Sequence, residues 1–364
     1  MLIKKWFSLI RSELKNLKKQ FATRFDNHAY HIFKRDFTQR KPQILAQFEQ
    51  GLHLFEPMIA YNYYGKIEPM WGFLDKLLIK ILYQHIKPTF KHIISSCCYH
   101  LKGPSSIKTI THRISNALSV NDYRYVIRAD IKSYYASIDR DILCEQLAAE
   151  FDDPAVLSYL LAIVHNVIDR GGWIETPDKG IPRKSSLSSF FAALYLKPLD
   201  LLFEEQSDVL YVRYNDDILI LCQTRRQFVK AKKKLSRVLK QLRLKLSPTK
   251  TRMGKLHQGF HFLGIDYQVA QTSEPTQCHS AKVSVKLHQR CYHRAIDQLK
   301  EKREDAGHPA KAQSYLIRWS RWWSNIHQQI QFSESLLNWT VLATRLFGEW
   351  TSRFGFAILC RVWA

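Results

Sequence analysis

Val209-Leu210-Tyr211-Val212-Arg213-Tyr214-Asn215-Asp216-Asp217-Ile218-Leu219-Ile220-Leu221 sets two apolar, β-branched runs on either side of a short polar tip. That pattern reads as a β-hairpin. Asn and Asp tolerate the positive φ of a tight primed turn, so Asn215 and Asp216 are expected at its tip. A turn needs no second acid, and adjacent like charges repel. A divalent cation removes that cost, because Mg²⁺ prefers hard oxygen ligands and few protein carboxylates. Taken alone, an Asp-Asp pair also reads as a solvated hairpin tip.

A second strand upstream changes the weight of that pair. Tyr123-Arg124-Tyr125-Val126-Ile127-Arg128-Ala129-Asp130-Ile131 again ends in an acid, Asp130. If the two strands pair, Asp130 lies beside Asp216 and Asp217. Three clustered carboxylates are the donor set of a two-metal phosphoryl-transfer site.

Asp130-Ile-Lys-Ser-Tyr-Tyr-Ala-Ser-Ile-Asp139, Gly180-Ile-Pro182, Leu187-Ser188, Tyr214-Asn-Asp-Asp217 and Phe262-Leu-Gly264 follow one another in order. Together they resemble the palm motifs of reverse transcriptases, above all the bacterial, group II intron-like ones, from about Gly65 to Tyr267. The resemblance implies an α+β, right-hand polymerase architecture with fingers, a ferredoxin-like palm and a helical thumb. It divides the chain into a basic helical extension over 1–60, fingers and palm over 61–270, and the thumb over 271–364. It implies an RNA-directed DNA polymerase that takes an RNA template, a DNA or RNA primer, and dNTPs, with Mg²⁺ or Mn²⁺ as cofactor. Asp130, Asp216, Asp217 and the Ile131 carbonyl are the implied metal ligands. Tyr135 stands where these enzymes carry an aromatic gate against the ribose 2′-hydroxyl. Lys250, in Leu244-Lys-Leu-Ser-Pro-Thr-Lys-Thr-Arg252, stands where a lysine serves the departing pyrophosphate. Lys66 and Lys76, with Lys102 and Lys108, are candidates to hold the incoming triphosphate from the fingers. Each also reads as a solvated surface charge.

One segment departs from the family pattern. In Lys179-Gly180-Ile181-Pro182-Arg183-Lys184-Ser185-Ser186-Leu187-Ser188-Ser189, Arg183 and Lys184 replace a Gln-Gly or similar pair, and Ser189 stands where proline is common. Two cations strengthen phosphate contact, while the missing glycine limits close approach of the backbone.

The composition agrees with a nucleic-acid partner. The 364 residues carry 55 Lys and Arg against 32 Asp and Glu, a net charge of +23. An excess of that size favours a polyanion through counterion release. The charge is spread along the whole chain instead of lying on one amphipathic helix, which argues against a membrane surface. No stretch approaches the roughly 20 apolar residues that span a bilayer. Seven cysteines without a Cys-x-x-Cys pair suggest a reduced, cytoplasmic protein. Its start lacks the apolar core of a signal peptide.

Further elements follow from periodicity and caps. Residues 1 to about 48 read as basic helix, and Phe73–Ile86 as an apolar helix after a hairpin near Tyr61–Lys66. Ser105 or Ser106 is expected to cap a helix from Ile107, and Asp139 one from Arg140 to Glu150. Helices are also expected over Pro154–Ile168 and Phe190–Phe203, and over Arg225–Leu242 with Val229, Leu235, Val238, Leu239 and Leu242 inward. Gly259–Tyr267 reads as another hairpin. Beyond about residue 280 the chain is basic, helical and rich in tryptophan, more simply core than nucleic-acid platform. No HNH-type endonuclease region is seen, so a freestanding enzyme is expected. A polymerase-like maturase or scaffold that binds RNA without copying it is the alternative. Phage defence, a mobile element and DNA repair stay open as pathways, and a dedicated non-coding RNA and a homo-oligomer as partners.

Overall fold

Alternating apolar runs in the middle of the chain close into one antiparallel sheet, with helices between its strands. The computed structural model describes residues 28–269 apart from 64, 65, 104, 184 and 207, together with 15, 283–287, 294, 297 and 298. In chain order come helix α1 (His28–Glu49), strands β1 (Met58–Tyr63) and β2 (Lys66–Met70), helices α2 (Phe73–Ile86), α3 (Phe90–Ile93) and α4 (Ser106–Val120), and strand β3 (Tyr125–Asp130). Helices α5 (Tyr134–Ser137), α6 (Arg140–Glu150) and α7 (Pro154–Val164) follow. Next are β4 (Ile168–Asp169), β5 (Ile174–Glu175), α8 (Ser188–Tyr195) and α9 (Lys197–Glu204). Strands β6 (Val209–Tyr214) and β7 (Asp217–Cys222), helix α10 (Arg225–Gln241), and strands β8 (Arg252–Lys255), β9 (Phe260–Phe262), β10 (Ile265–Val269) and β11 (Val283–Leu287) complete the described chain.

The central sheet has the order β6-β7-β3-β8, antiparallel throughout. Helices separate β3 from β6 and β7 from β8, so the connectivity is the β-α-β-β-α-β split arrangement. Strand β7 explains why its sequence is almost wholly apolar: Ile218 to Cys222 are all fully buried. Successive side chains point to opposite faces. Ile218, Ile220 and Cys222 join Ile127, Ala129 and Tyr211 in a core shared with α6 to α10. Leu219 and Leu221 join Val126, Leu210 and Val212 in a second core, with Ile110, Ile114 and Leu118 of α4 and Phe262, Ile265 and Tyr267 of the β9–β10 hairpin. Each buried Leu or Ile contributes about 1.5–3 kcal/mol relative to exposure. Two smaller sheets, β2-β1-β4-β5 and β11-β10-β9, flank the centre. Among the described residues no helix is long and apolar enough to cross a membrane.

One expected cap is present, and another forms that was not expected. Asp139 accepts from the Ile142 N–H at the start of α6, and Thr224 forms a capping box with Gln227 at α10. Four expectations are corrected. Ser105 precedes α4 without a side-chain capping bond. Helix α7 stops at Val164, because Ile168 is drawn into a strand that pairs with Met58. The stretch Phe190–Phe203 is two helices, divided at Leu196 where Pro198 begins the second; proline has no N–H to continue the first. Val229 is exposed, with only the other named apolar positions of α10 turned inward. The helix expected before His28 and the thumb expected over 271–364 lie, almost entirely, outside the described residues.

One buried ion pair ties these layers together. Asp200 of α9 and Arg213 of β6 are both sealed from solvent. The Arg213 guanidinium donates from Nε to Asp200 Oδ1 at 2.7 Å and from Nη2 to Oδ2. It also donates to the Ala193 carbonyl at 3.1 Å and the Asn215 carbonyl at 2.9 Å. Tyr211 donates to Asp200 Oδ1 at 2.6 Å. Asp200→Ala leaves the guanidinium buried without its counter-charge and is expected to cost about 3–5 kcal/mol in urea unfolding. Asp200→Leu combined with Arg213→Met is expected to recover much of that loss. A single variant as stable as the native chain would contradict this account.

Candidate active site

The turn between β6 and β7 is two residues long, closed by the pair Tyr214 and Asp217. Asn215 takes a positive φ of 58°, and Asp216 does not. The expected turn with positive φ at both central positions is therefore corrected; it occurs instead at Leu263 and Gly264 in the β9–β10 hairpin, with φ of 51° and 82°. At Asn215 the Arg213 guanidinium holds the carbonyl and His100 accepts the N–H at 3.2 Å.

Strand β3 lies beside β7 in a register that sets Asp130 opposite Asp217. Directly opposed residues have Cβ atoms about 4.5–5.5 Å apart, and like charges there are destabilising. Burial, followed by the neighbouring Asp216 and Asp130 charges, pushes the Asp217 carboxyl up to about 6. Burial, with Asp130 opposing the ionised form, also raises Asp216. Asp130 is itself buried and meets Lys250 Nζ at 3.1 Å. The predicted lysine thus sits on a carboxylate, while its side chain stays 62 % exposed. An isolated bridge joins Ile131 to Leu246; its bonds use the Lys132 N–H and the Asp130 carbonyl, not the Ile131 carbonyl.

The donor set fits a hard divalent cation. Carboxylate and carbonyl oxygens are what Mg²⁺ takes, and it keeps several waters in preference to a full protein cage. No group of three His, Cys, Asp or Glu side chains already arranged to hold a metal occurs among the described residues. Burial is the larger cause of both shifts, and the neighbouring carboxylate charges add to it; a bound cation would relieve both.

Tyr135 reaches the turn from the other side. Ser133 adopts a left-handed φ of 49° and opens the single-turn helix α5. Tyr134 goes into the core, where its hydroxyl donates to the Ala192 carbonyl, while Tyr135 faces the turn and donates to Asn215 Oδ1 at 3.3 Å. Burial raises the Tyr135 hydroxyl; a side-chain bond from Ser189 and the Arg183 charge work in the opposite direction. Arg183 itself is exposed. Lys184 lies outside the described residues. Lys66 is described only as backbone in β2, and Lys76 of α2 holds its ammonium 5.6 Å from the centre of the Phe73 ring.

His100 was not legible in the sequence as part of this cluster. Its Nε2 lies 2.9 Å from the Ser189 carbonyl, and its Nδ1 takes the Asn215 N–H. Burial, then the nearby Arg213 charge, holds its pKa down to about 4, so the neutral ring both accepts and donates. It ties the carboxylate turn to the start of α8. A lone histidine 115 residues from its partner has no spacing signal; only the folded strand order reveals it.

Gly180 sets the other wall. Its N–H donates to the Ile138 carbonyl at 2.7 Å and the Ile181 N–H to the Tyr135 carbonyl at 2.9 Å. Its φ is 89°, and an added Cβ would stand 3.2 Å from Ala136 Cα and 3.3 Å from the Ala136 oxygen, both backbone. Gly180→Ala is expected to lower unfolding free energy by about 1–3 kcal/mol through backbone strain. Thermal unfolding of the variant checks this, and an unchanged midpoint would refute it.

Residues 66–267, more than half of the chain, match the family model described as reverse transcriptase (RNA-dependent DNA polymerase). No curated protein matches this sequence. The match covers β3, the Gly180 loop, the Asn215 turn and the β9–β10 hairpin. The chain belongs to the reverse transcriptase family.

Proposed function

We propose that this chain is a group II intron-like reverse transcriptase that adds dNTPs to a primer 3′-hydroxyl by two-metal phosphoryl transfer on an RNA template. The observation that carries the reading is the register of β3 on β7, which brings Asp130 to Asp217 beside Asp216. The family match supports the polymerase in general. On this reading the split β-α-β sheet is the palm, 61–270 comprise fingers and palm, 271–364 the thumb, and 1–60 a basic extension.

Asp130, Asp216, Asp217 and the Ile131 carbonyl would hold Mg²⁺ or Mn²⁺. Bound there, the ions supply charge neutralisation at the transferred phosphoryl group and acidify the attacking hydroxyl. The chain's own residues do the positioning, which carries much of the rate in such transfers. Tyr135, held by Asn215, leaves its ring where a ribose 2′-hydroxyl would crowd it. Lys250 is exposed enough to leave Asp130 and meet the departing pyrophosphate, as a counter-charge or proton donor. Arg183 and Lys184 lie on the loop proposed to meet template and nucleotide, and Lys66 and Lys76 are proposed to approach the triphosphate from the fingers. A cytoplasmic setting, a dedicated non-coding RNA, and a role in phage defence, a mobile element or repair belong to the same proposal.

Two measurements test it. Primer extension on an RNA template with dNTPs and Mg²⁺ is expected from the native chain and not from Asp217→Asn, with a rate loss of at least about 10³-fold for removing so central a charge. Tight RNA binding without extension on any template would favour the scaffold. Tyr135→Ala is expected to admit ribonucleotides; unchanged sugar selectivity would remove Tyr135 from the gate.

A further inference from the structure

Helix α10 carries eight Lys and Arg among its 17 residues and no Asp or Glu. Its inward positions, Ala231, Leu235, Val238 and Leu239, pack in the core on the helical side of the sheet. The opposite stripe runs Arg226, Val229, Lys230, Lys233, Lys234 and Arg237, at the i, i+3, i+4, i+7 spacing of one helix face. These side chains, all from α10, border one shallow, open groove on the outer surface of that single helix. Among the described residues, no carboxylate pairs with any of its cations.

Such a stripe works against the helix that bears it. Like charges three and four residues apart repel, and Arg225 and Arg226 sit at the positive end of the helix dipole. A helix that needed only solubility would mix both signs. A polyanion laid along the groove removes the repulsion.

The groove is also separate from the carboxylates. Alternation along β3 and β7 sends Ile127, Ala129, Ile218 and Ile220 toward α10, so Asp130 and Asp217 point to the other face of the sheet. The outer face of α10 is a further helix diameter away, about 10–12 Å. A strand being extended at the carboxylates therefore does not also lie in the groove.

We propose that the outer face of α10 docks the phosphate backbone of a double-stranded segment of RNA, outside the region being copied. This rests on the reading of the chain as an RNA-directed polymerase, whose template is the RNA at hand. The stripe from Arg226 to Arg237 spans about 16 Å, enough to follow several phosphates of one strand. Duplex is favoured over single strand because the face offers no aromatic platform for unpaired bases; Phe228, the one aromatic of the helix, packs on Tyr125 at 5.3 Å. A lipid surface is disfavoured because Val229 is the stripe's only apolar residue, and an interfacial helix needs a broad apolar face.

The test uses the full chain and a labelled RNA hairpin of about 16 base pairs, with excess unlabelled short primer–template filling the polymerisation site. Lys230→Gln/Lys233→Gln/Arg237→Gln is expected to weaken hairpin binding at least about ten-fold and to flatten the log–log salt dependence by about 2–3. Lys230→Arg/Lys233→Arg is expected to bind as the native chain does. Extension of the short primer–template by the triple variant is expected to be unchanged. Equal hairpin affinity and salt slope in the triple variant would overturn the proposal. So would a loss confined to phosphatidylserine vesicles. If the native chain extends no primer, the polymerase reading fails by itself, and the hairpin comparison still reports on the groove.

Discussion

The buried Arg213 guanidinium is the constraint on which the rest of the site depends. It stands on β6, yet its donors reach α9 through Asp200, the end of α8 through Ala193, and the carboxylate turn through Asn215. Burying a charge of this kind is costly unless it is paired and hydrogen-bonded on every side. That condition is met only when the helices between β3 and β6 pack in one arrangement. The backbone of Arg213 adds a further tie, since its N–H and carbonyl meet Cys97 and Tyr99 and cover the edge of β6. The turn that carries Asp216 is thereby located by the core, not by the loop.

Around that fixed turn the electrostatics are arranged in tension. Asp130 and Asp217 face one another across the ladder and Asp216 lies next to them, with burial raising two of the three carboxyls. Lys250 supplies one counter-charge to Asp130. A flexible, exposed ammonium is a weak partner, so the cluster keeps most of its demand for positive charge. Stability alone does not account for three acids here, and the cations of the proposed function would relieve that demand.

Much of this was legible from residue order. The strands around Asp130 and Asp217 show their apolar runs plainly, Asp139 stands at a cap, and the resemblance from about Gly65 to Tyr267 nearly coincides with the matched residues 66–267. The register, which a one-residue slip would reverse, needed the fold to settle. Other features were hidden for physical reasons. Asp200 in an apolar stretch gives no hint of its partner thirteen residues on. The break at Leu196 was masked by a continuous apolar run, although Pro198 was the signal for it. Val229 follows the helical period only loosely, and counting apolar residues placed it on the wrong side of α10. His100 had no pattern to belong to, since its role exists only where two distant loops meet.

The bond from Tyr135 to Asn215 Oδ1 has an evolutionary consequence on the proposed roles. The ring that would judge the sugar and the turn that would present the carboxylates share one hydrogen bond, with His100 fastening the same turn from behind. Selectivity and speed are then not separate dials for natural selection. A lineage that loosened one would disturb the other, and substitutions at Tyr135, Asn215 and His100 should travel together or not at all.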